Sequence, residues 1–228
     1  NSEGLDVSSG YTVTPVTVLP VSVASQETKN IEVKIQVSPF ATDGNITVDG
    51  NSTLLDSNTL KEYTSENSLV TALFEVMKPA SINIKTISAG KNKVVKGETN
   101  LSVQMLLENT GSAIVTISSV TPVFYFNATN ISADYTIAAN PANVTDIAGG
   151  GNATFNFTVS VGNANSINLG VITINGSATG KDQNSNKNVS DDTAATTASW
   201  TVIKQAIINA AISVKSDKLP ETSINSVK

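Results

Sequence analysis

Between Gly151 and Gly162 the chain alternates apolar and polar residues without a break. Ala153, Phe155, Phe157, Val159 and Val161 share one parity, and Asn152, Thr154, Asn156, Thr158 and Ser160 the other. A period of two is that of an extended strand with one face in a core and the other in water, and no helix sorts its residues this way. Leu101, Val103, Met105 and Leu107 repeat the pattern between Asn100 and Glu108. Asn109-Thr110-Gly111 then predicts a turn, with the glycine supplying a positive φ. Further strands are predicted over 11–25, 31–37, 69–77, 82–87, 113–118, 120–126, 135–138, 169–178 and 198–203. Loops rich in Asn, Asp, Gly and Ser are predicted at 41–57, 147–151 and 180–192. Helix formers cluster only at 60–65 and 205–211. The expected fold is all-β: β-sandwich domains, two in tandem, with an extended terminal strand.

One internal similarity supports a tandem arrangement. Residues 71–83 align with residues 197–209, and Phe74 falls opposite Trp200. A chain rich in Thr, Ala and Val also matches itself by chance. Read as a repeat, the match marks the last strand of each of two domains. The domains are then 1–79, an N-terminal β domain with an extended first strand, and 80–204, a larger sandwich. Residues 205–228 form a C-terminal extension.

In that extension Ile208, Ala210, Ile212 and Val214 alternate like the opening strand of a further domain. An orphan strand exposes apolar side chains and unpaired backbone groups in a monomer, but it can complete the sheet of a neighbouring subunit. The N-terminal segment competes for the same role. Tyr11, Val13, Leu19, Val21 and Val23 share one parity, and Pro15 and Pro20 cannot donate to a ladder, which suits an edge or detachable strand. Either segment is equally readable as an edge strand of its own domain.

Composition narrows the chemistry. The chain of 228 residues has no His, no Cys and no Arg, 14 Lys and a net charge of −5. Imidazole bases, thiol nucleophiles, thiolate or imidazole metal sites and disulfides are thereby excluded. Nucleic acid is not an expected partner, because phosphate binding needs clustered cations. The few carboxylates are scattered and form no pair fit for glycoside hydrolysis, so an enzyme is not expected. No apolar run is long enough to span a membrane. The chain begins at Asn1 without a signal peptide, and reads as a processed, mature chain.

Asn-X-Ser/Thr occurs at Asn45, Asn51, Asn100, Asn127, Asn130, Asn143, Asn152, Asn156, Asn175 and Asn188. Chance would supply about six from this composition. Between Thr99 and Gly180 the only charges are Glu108, Asp134 and Asp146, and seven of the sequons fall there: Asn100, Asn127, Asn130, Asn143, Asn152, Asn156 and Asn175. Asn100, Asn152, Asn156 and Asn175 sit on the polar parity of their predicted strands. A surface without charge needs another source of solvation, and N-linked glycans supply it. Covalent glycans are expected, and no dissociable cofactor or metal.

Weaker constellations have simple readings. Asp43, Asp49, Asn45 and Asn51 offer oxygen ligands for Ca²⁺, but their spacing is not that of an EF-hand loop, so a solvated turn is expected. Asp191-Asp192 has no third acid near it in sequence. Trp200 and Tyr125 fit a core better than a sugar platform. Gly149-Gly150-Gly151 reads as a flexible connection, because no Lys-Ser/Thr follows it as in a phosphate loop. Having no His, few carboxylates, no Cys and only two Met suits a secreted protein exposed to acid or heat.

The stretch from Leu101 to Gly111 resembles the strand-Asn-X-Gly-strand signature of extracellular immunoglobulin-like modules of archaea and bacteria. The whole chain is similar in style to cell-surface proteins of thermoacidophilic archaea, with crowded sequons, abundant Ser, Thr, Asn, Val and Ile, and no Cys. Among these it most resembles the subunits of archaeal thread-type pili. That resemblance implies a glycosylated extracellular filament, a homopolymer whose subunits join head to tail by donor strand complementation. An S-layer stalk or an adhesin built of immunoglobulin-like spacer domains is the alternative reading.

Overall fold

The computed structural model describes residues 6–65, 71–140 and 145–206, with the side chains of 139 and 140 excepted. Among these residues the regular structure is β, apart from two short 3-10 turns at Ser8–Gly10 and Ser132–Asp134.

The first part of the chain pairs in twos. It contains β1 (Tyr11–Pro15), β2 (Val33–Val37), β3 (Gly44–Val48), β4 (Ser52–Leu55), β5 (Glu62–Ser65) and β6 (Ala72–Val76). The antiparallel pairs are β1 with β2, β3 with β6, and β4 with β5, and each is a separate two-stranded sheet. A two-stranded sheet has only one inner edge and little apolar area to bury. Accordingly Ile46, at 4% exposure, is the one buried hydrophobic residue of this part among the described residues.

The second part is a sandwich. Its strands are β7 (Ile82–Ala89), β8 (Lys93–Val95), β9 (Leu101–Asn109), β10 (Val115–Phe126), β11 (Thr129–Asn130), β12 (Tyr135–Asn140), β13 (Thr145–Ile147), β14 (Asn152–Val161), β15 (Gly170–Asp182), β16 (Asn188–Asp191) and β17 (Ala198–Ile203). One sheet runs β12-β14-β9-β7. The other runs β11-β10-β15-β17-β8, with β13 on β10 and β16 on β15. This is the strand order of an immunoglobulin-like sandwich, with the first strand divided between the sheets as β7 and β8. β8 lies parallel to the last strand, β17, while the other pairs are antiparallel.

The alternation read from the sequence forms the core. Phe155, Phe157 and Val159 of β14 lie beside Met105, Val103 and Leu101 of β9, and these six, with Val161 and Leu107, are all buried. Phe124, Tyr135 and Trp200 meet as a stack at the centre, with Phe124–Tyr135 centroids 4.0 Å apart and Phe124–Trp200 5.5 Å apart. Every buried hydrophobic residue among those described, except Ile46, belongs to this one core.

Several local readings are corrected. Residues 11–25 do not form one strand: β1 stops at Pro15, where the chain loses a ladder donor. Strands β3 and β4 occupy part of the stretch expected to be a loop, and β16 forms a hairpin with the end of β15 inside another. Gly111 has no positive φ; it is required because a side chain there would run into the backbone of Pro79 and Ala80. The triple glycine is a tight corner, not a slack connection. The N–H of Gly150 donates to the carbonyls of Asn109 and Gly111, both at 3.0 Å, and Gly149 packs on the backbone of Ser112.

Candidate functional site

Nine of the ten sequon asparagines are placed with their side chains, and Asn143 lies outside the described residues. None of the nine is buried. Asn45, Asn51, Asn100, Asn127, Asn130, Asn152 and Asn188 are exposed, and Asn156 and Asn175 are half-buried. Asn127 is in the two-residue turn between β10 and β11, and Asn130 ends β11, where its side chain accepts the N–H of Ser132 at 2.9 Å. Asn152 opens β14 opposite Glu108, and Asn156 accepts a hydrogen bond from the Gln104 amide at 2.8 Å on the outer face of the same sheet. Asn175 differs in kind. Its amide nitrogen donates to the carbonyl of Asp192 at 3.2 Å, and its oxygen accepts the N–H of Ala194 at 2.8 Å. It ties β15 to the segment before β17.

The first part of the chain carries most of the large exposed hydrophobics. Val18 is 86% and Phe40 95% exposed, and Val13, Leu54, Leu55 and Leu73 are exposed as well. Between the β1–β2 and β3–β6 sheets lies a groove of about 640 Å³, lined by Tyr11, Val13, Ile35, Ile46, Val48 and Phe74, with Asp6 and Asp49 also on its wall. Tyr11 meets the Phe74 ring edge-on at 6.0 Å. The Tyr11 hydroxyl oxygen is buried and has no hydrogen-bond partner among the described residues.

The two donor-strand candidates fall differently. Tyr11 and Val13 are in β1, paired with β2 of the same chain. Leu19, Val21 and Val23 lie outside any strand. Ile208, Ala210, Ile212 and Val214 lie outside the described residues.

The remaining candidates turn out structural. Trp200 is 1% exposed in the aromatic stack, and Tyr125 is half-buried on β10. Asp43 and Asp49 flank β3 at its two ends, about 20 Å apart along an extended strand, too far to share an ion. Among the described residues there is no group of three or more acids placed to hold a metal. Asp191 is a tie: one carboxylate oxygen accepts the N–H of Ile84 at 2.6 Å and the other that of Thr193 at 3.1 Å.

Two buried polar residues escaped the sequence reading. The Asn109 amide nitrogen donates to the carbonyls of Ala113, Ile147 and Ala148, while its oxygen accepts from Ser81 and Gly111, so it joins three loops. Asp182 accepts the N–H of Ala80 at 2.6 Å and those of Asn184 and Ser185 at 2.8 Å. Burial pushes the Asp182 carboxyl upward, but the donors of Ser185, Ala80 and Asn184 outweigh it and hold it below its ordinary value. A turn signal was all the sequence offered at either position. Glu98 is likewise held low, by the Lys91 ammonium and the Val95 N–H.

No protein-family model matches this chain, and no curated protein matches its sequence. Solved structures similar to it include a FixG-related protein from Vibrio parahaemolyticus, at 9% identity and a TM-score of 0.33, over 54% of this chain and 96% of that one. The seventh type I cohesin of ScaB from Pseudobacteroides cellulosolvens matches at 13% identity and a TM-score of 0.24, over 58% of this chain and 99% of the cohesin. The major pilin subunit of Bacillus cereus matches at 11% identity and a TM-score of 0.29, over 85% of this chain and 64% of the pilin. Among the described residues no helix is long and apolar enough to cross a membrane.

Proposed function

We propose that this chain is a structural subunit of an extracellular, N-glycosylated filament of the archaeal thread type, assembled head to tail by β-strand donation. The observation that carries the reading is the groove between the β1–β2 and β3–β6 sheets. Its wall mixes apolar side chains (Tyr11, Val13, Ile46, Phe74) with polar ones (Ser8, Thr47, Asp49), and it lies between two-stranded sheets whose outer edges are unpaired among the described residues. A strand laid there supplies backbone groups to the edges and alternate side chains to the cavity.

The C-terminal segment of a neighbouring copy is the favoured donor. Its alternating Ile208, Ala210, Ile212 and Val214 suit the apolar side chains of the wall, and Lys215 follows directly, suited to Asp6 and Asp49. The N-terminal segment is the weaker donor, because Tyr11 and Val13 already line the groove. Burying three branched side chains contributes about 5–9 kcal/mol before ordering costs. The sequons suit the surface role. Most of those on the sandwich fall in the stretch from Thr99 to Gly180, which carries only three charges, and sugar there would provide solvation. Nothing in this reading requires a catalytic residue or a cofactor.

Electron microscopy of the native material tests the assembly, and filaments one subunit wide are expected. Discrete particles or a two-dimensional lattice would instead favour the stalk or adhesin. Removing residues 205–228 is expected to leave monomers. Filaments of normal length from that truncation would transfer the donor role to residues 11–23.

A further inference from the structure

We propose that the sandwich is built to carry tension along the chain, through a zipper formed by its first and last segments. The N–H of Ala195 donates to the carbonyl of Ile84 and that of Ile87 to Thr196, both at 2.8 Å. Further along, the N–H of Thr201 donates to Asn92 at 2.9 Å and that of Lys96 to Ile203 at 3.4 Å. Between them β8 and β17 pair in parallel, Lys93 with Thr201 and Val95 with Ile203. Residue numbers therefore rise together on both sides of the seam, from 84 beside 195 to 96 beside 203.

This direction decides how force is shared. The chain enters the sandwich at the Ala80 end of the seam and leaves it at the Ile203 end. Tension applied through the chain pulls the two segments in opposite senses along a common axis. The bonds across the seam are then strained together, in shear. Antiparallel terminal strands would have both attachment points at one end, and would peel apart one bond at a time. Two features keep the seam from rotating out of shear. Val94 and Val202 anchor it in the core, both 1% exposed. Asp182 and Asp191 pin the entering chain at the backbone of Ala80 and Ile84, each at 2.6 Å. The inference rests on the C-terminal donor proposed above, which makes the load enter the sandwich at Ala80 and leave it at Ile203, while the seam itself is tested by direct pulling.

Forced unfolding is governed by the barrier along the pulling direction, not by equilibrium stability. The test uses the full chain, whose lack of Cys makes introduced thiols unique handles. Lys78→Cys with Lys204→Cys pulls the seam in shear, and Lys96→Cys with Lys204→Cys peels it from one end. Single-molecule pulling at one speed is expected to give an unfolding force about twofold or more higher in the first geometry. Equal forces, or a stronger peel, would overturn the proposal. As a second measurement, Asp191→Asn is expected to lower the shear force and leave the peel force unchanged. An unchanged shear force would remove Asp191 from the device.

Discussion

The carboxylate of Asp182 and the backbone N–H of Ala80 meet at 2.6 Å across 102 residues of sequence, joining the end of β15 to the chain as it enters the sandwich. Asp182 has 2% exposure, so this charge is held by backbone donors and not by a cation. A buried carboxylate with three N–H partners is stable only while ionised.

Asp182→Asn is therefore expected to destabilise the sandwich by about 1–3 kcal/mol at neutral pH, since the amide cannot accept at both ends. The folded-state value lies below the ordinary 3.8. The stabilisation is thus complete above the unfolded value and is lost as the pH falls through the folded one. Urea unfolding of both proteins is expected to show the gap at neutral pH and to show it closing in strong acid. A gap independent of pH would mean that shape, not charge, is what the site requires.

The core stack makes a larger prediction. Trp200 touches Phe124 and Tyr135 and is sealed on all sides. Trp200→Ala is expected to cost about 3–5 kcal/mol, because the rigid sheets cannot close over the cavity. A filling change fails differently: at Gly176 an added methyl meets Met105, with Ile84 and Ile87 behind it. Gly176→Ala is expected to cost about 1–3 kcal/mol by overpacking. Thermal unfolding checks both losses, and an unchanged midpoint in either variant would overturn its account.

The sandwich was legible where alternation persisted. Strand β14 falls where its parity put it, because half-buried strands write their two faces into sequence. Strand β10 is continuous where the sequence pattern predicts two strands, 113–118 and 120–126. The reason is a bulge between Ile117 and Ser119, which shifts the phase by one so that neither parity runs through. Strand β8 has three residues, too few for any period, and its placement comes from β17. Strand β16 is made of Asn, Val, Ser and Asp, and pairs only because β15 extends far enough to receive it. At the candidate site, parity placed Asn100 and Asn152 on the exposed face, whereas Asn156 and Asn175, of the same parity, are half-buried because their amides bond to Gln104 and to the 192–194 backbone. The groove beside Tyr11 has no local signal, since it depends on how two separate two-stranded sheets face each other.

Geometry ranks the sequons. Asn127, Asn130 and Asn152 present exposed amides, whereas Asn175 is half-buried with both ends of its amide bonded to the 192–194 backbone. Glycopeptide mass spectrometry of native material is expected to find the first three occupied and Asn175 the least occupied. Unmodified peptides throughout would end the sugar-coat reading. Asn175→Gln is expected to lower thermal stability even in unglycosylated protein, because the longer side chain misplaces both bonds.

Strand donation makes the sharpest demand on Val13, which lines the groove yet is exposed in the lone subunit. Val13→Asp buries no charge in the monomer, so the thermal midpoint of the sandwich is expected to stay unchanged. In the filament the same carboxylate would be buried beneath the incoming strand, and assembly is expected to fail. A synthetic peptide of residues 205–216 separates this from misfolding. Added to protein lacking residues 205–228, it is expected to raise the midpoint of the N-terminal part in proportion to its binding. Added to the same protein carrying Val13→Asp, it is expected to do nothing. A peptide that stabilises both proteins equally binds elsewhere, and the groove would then not be the acceptor.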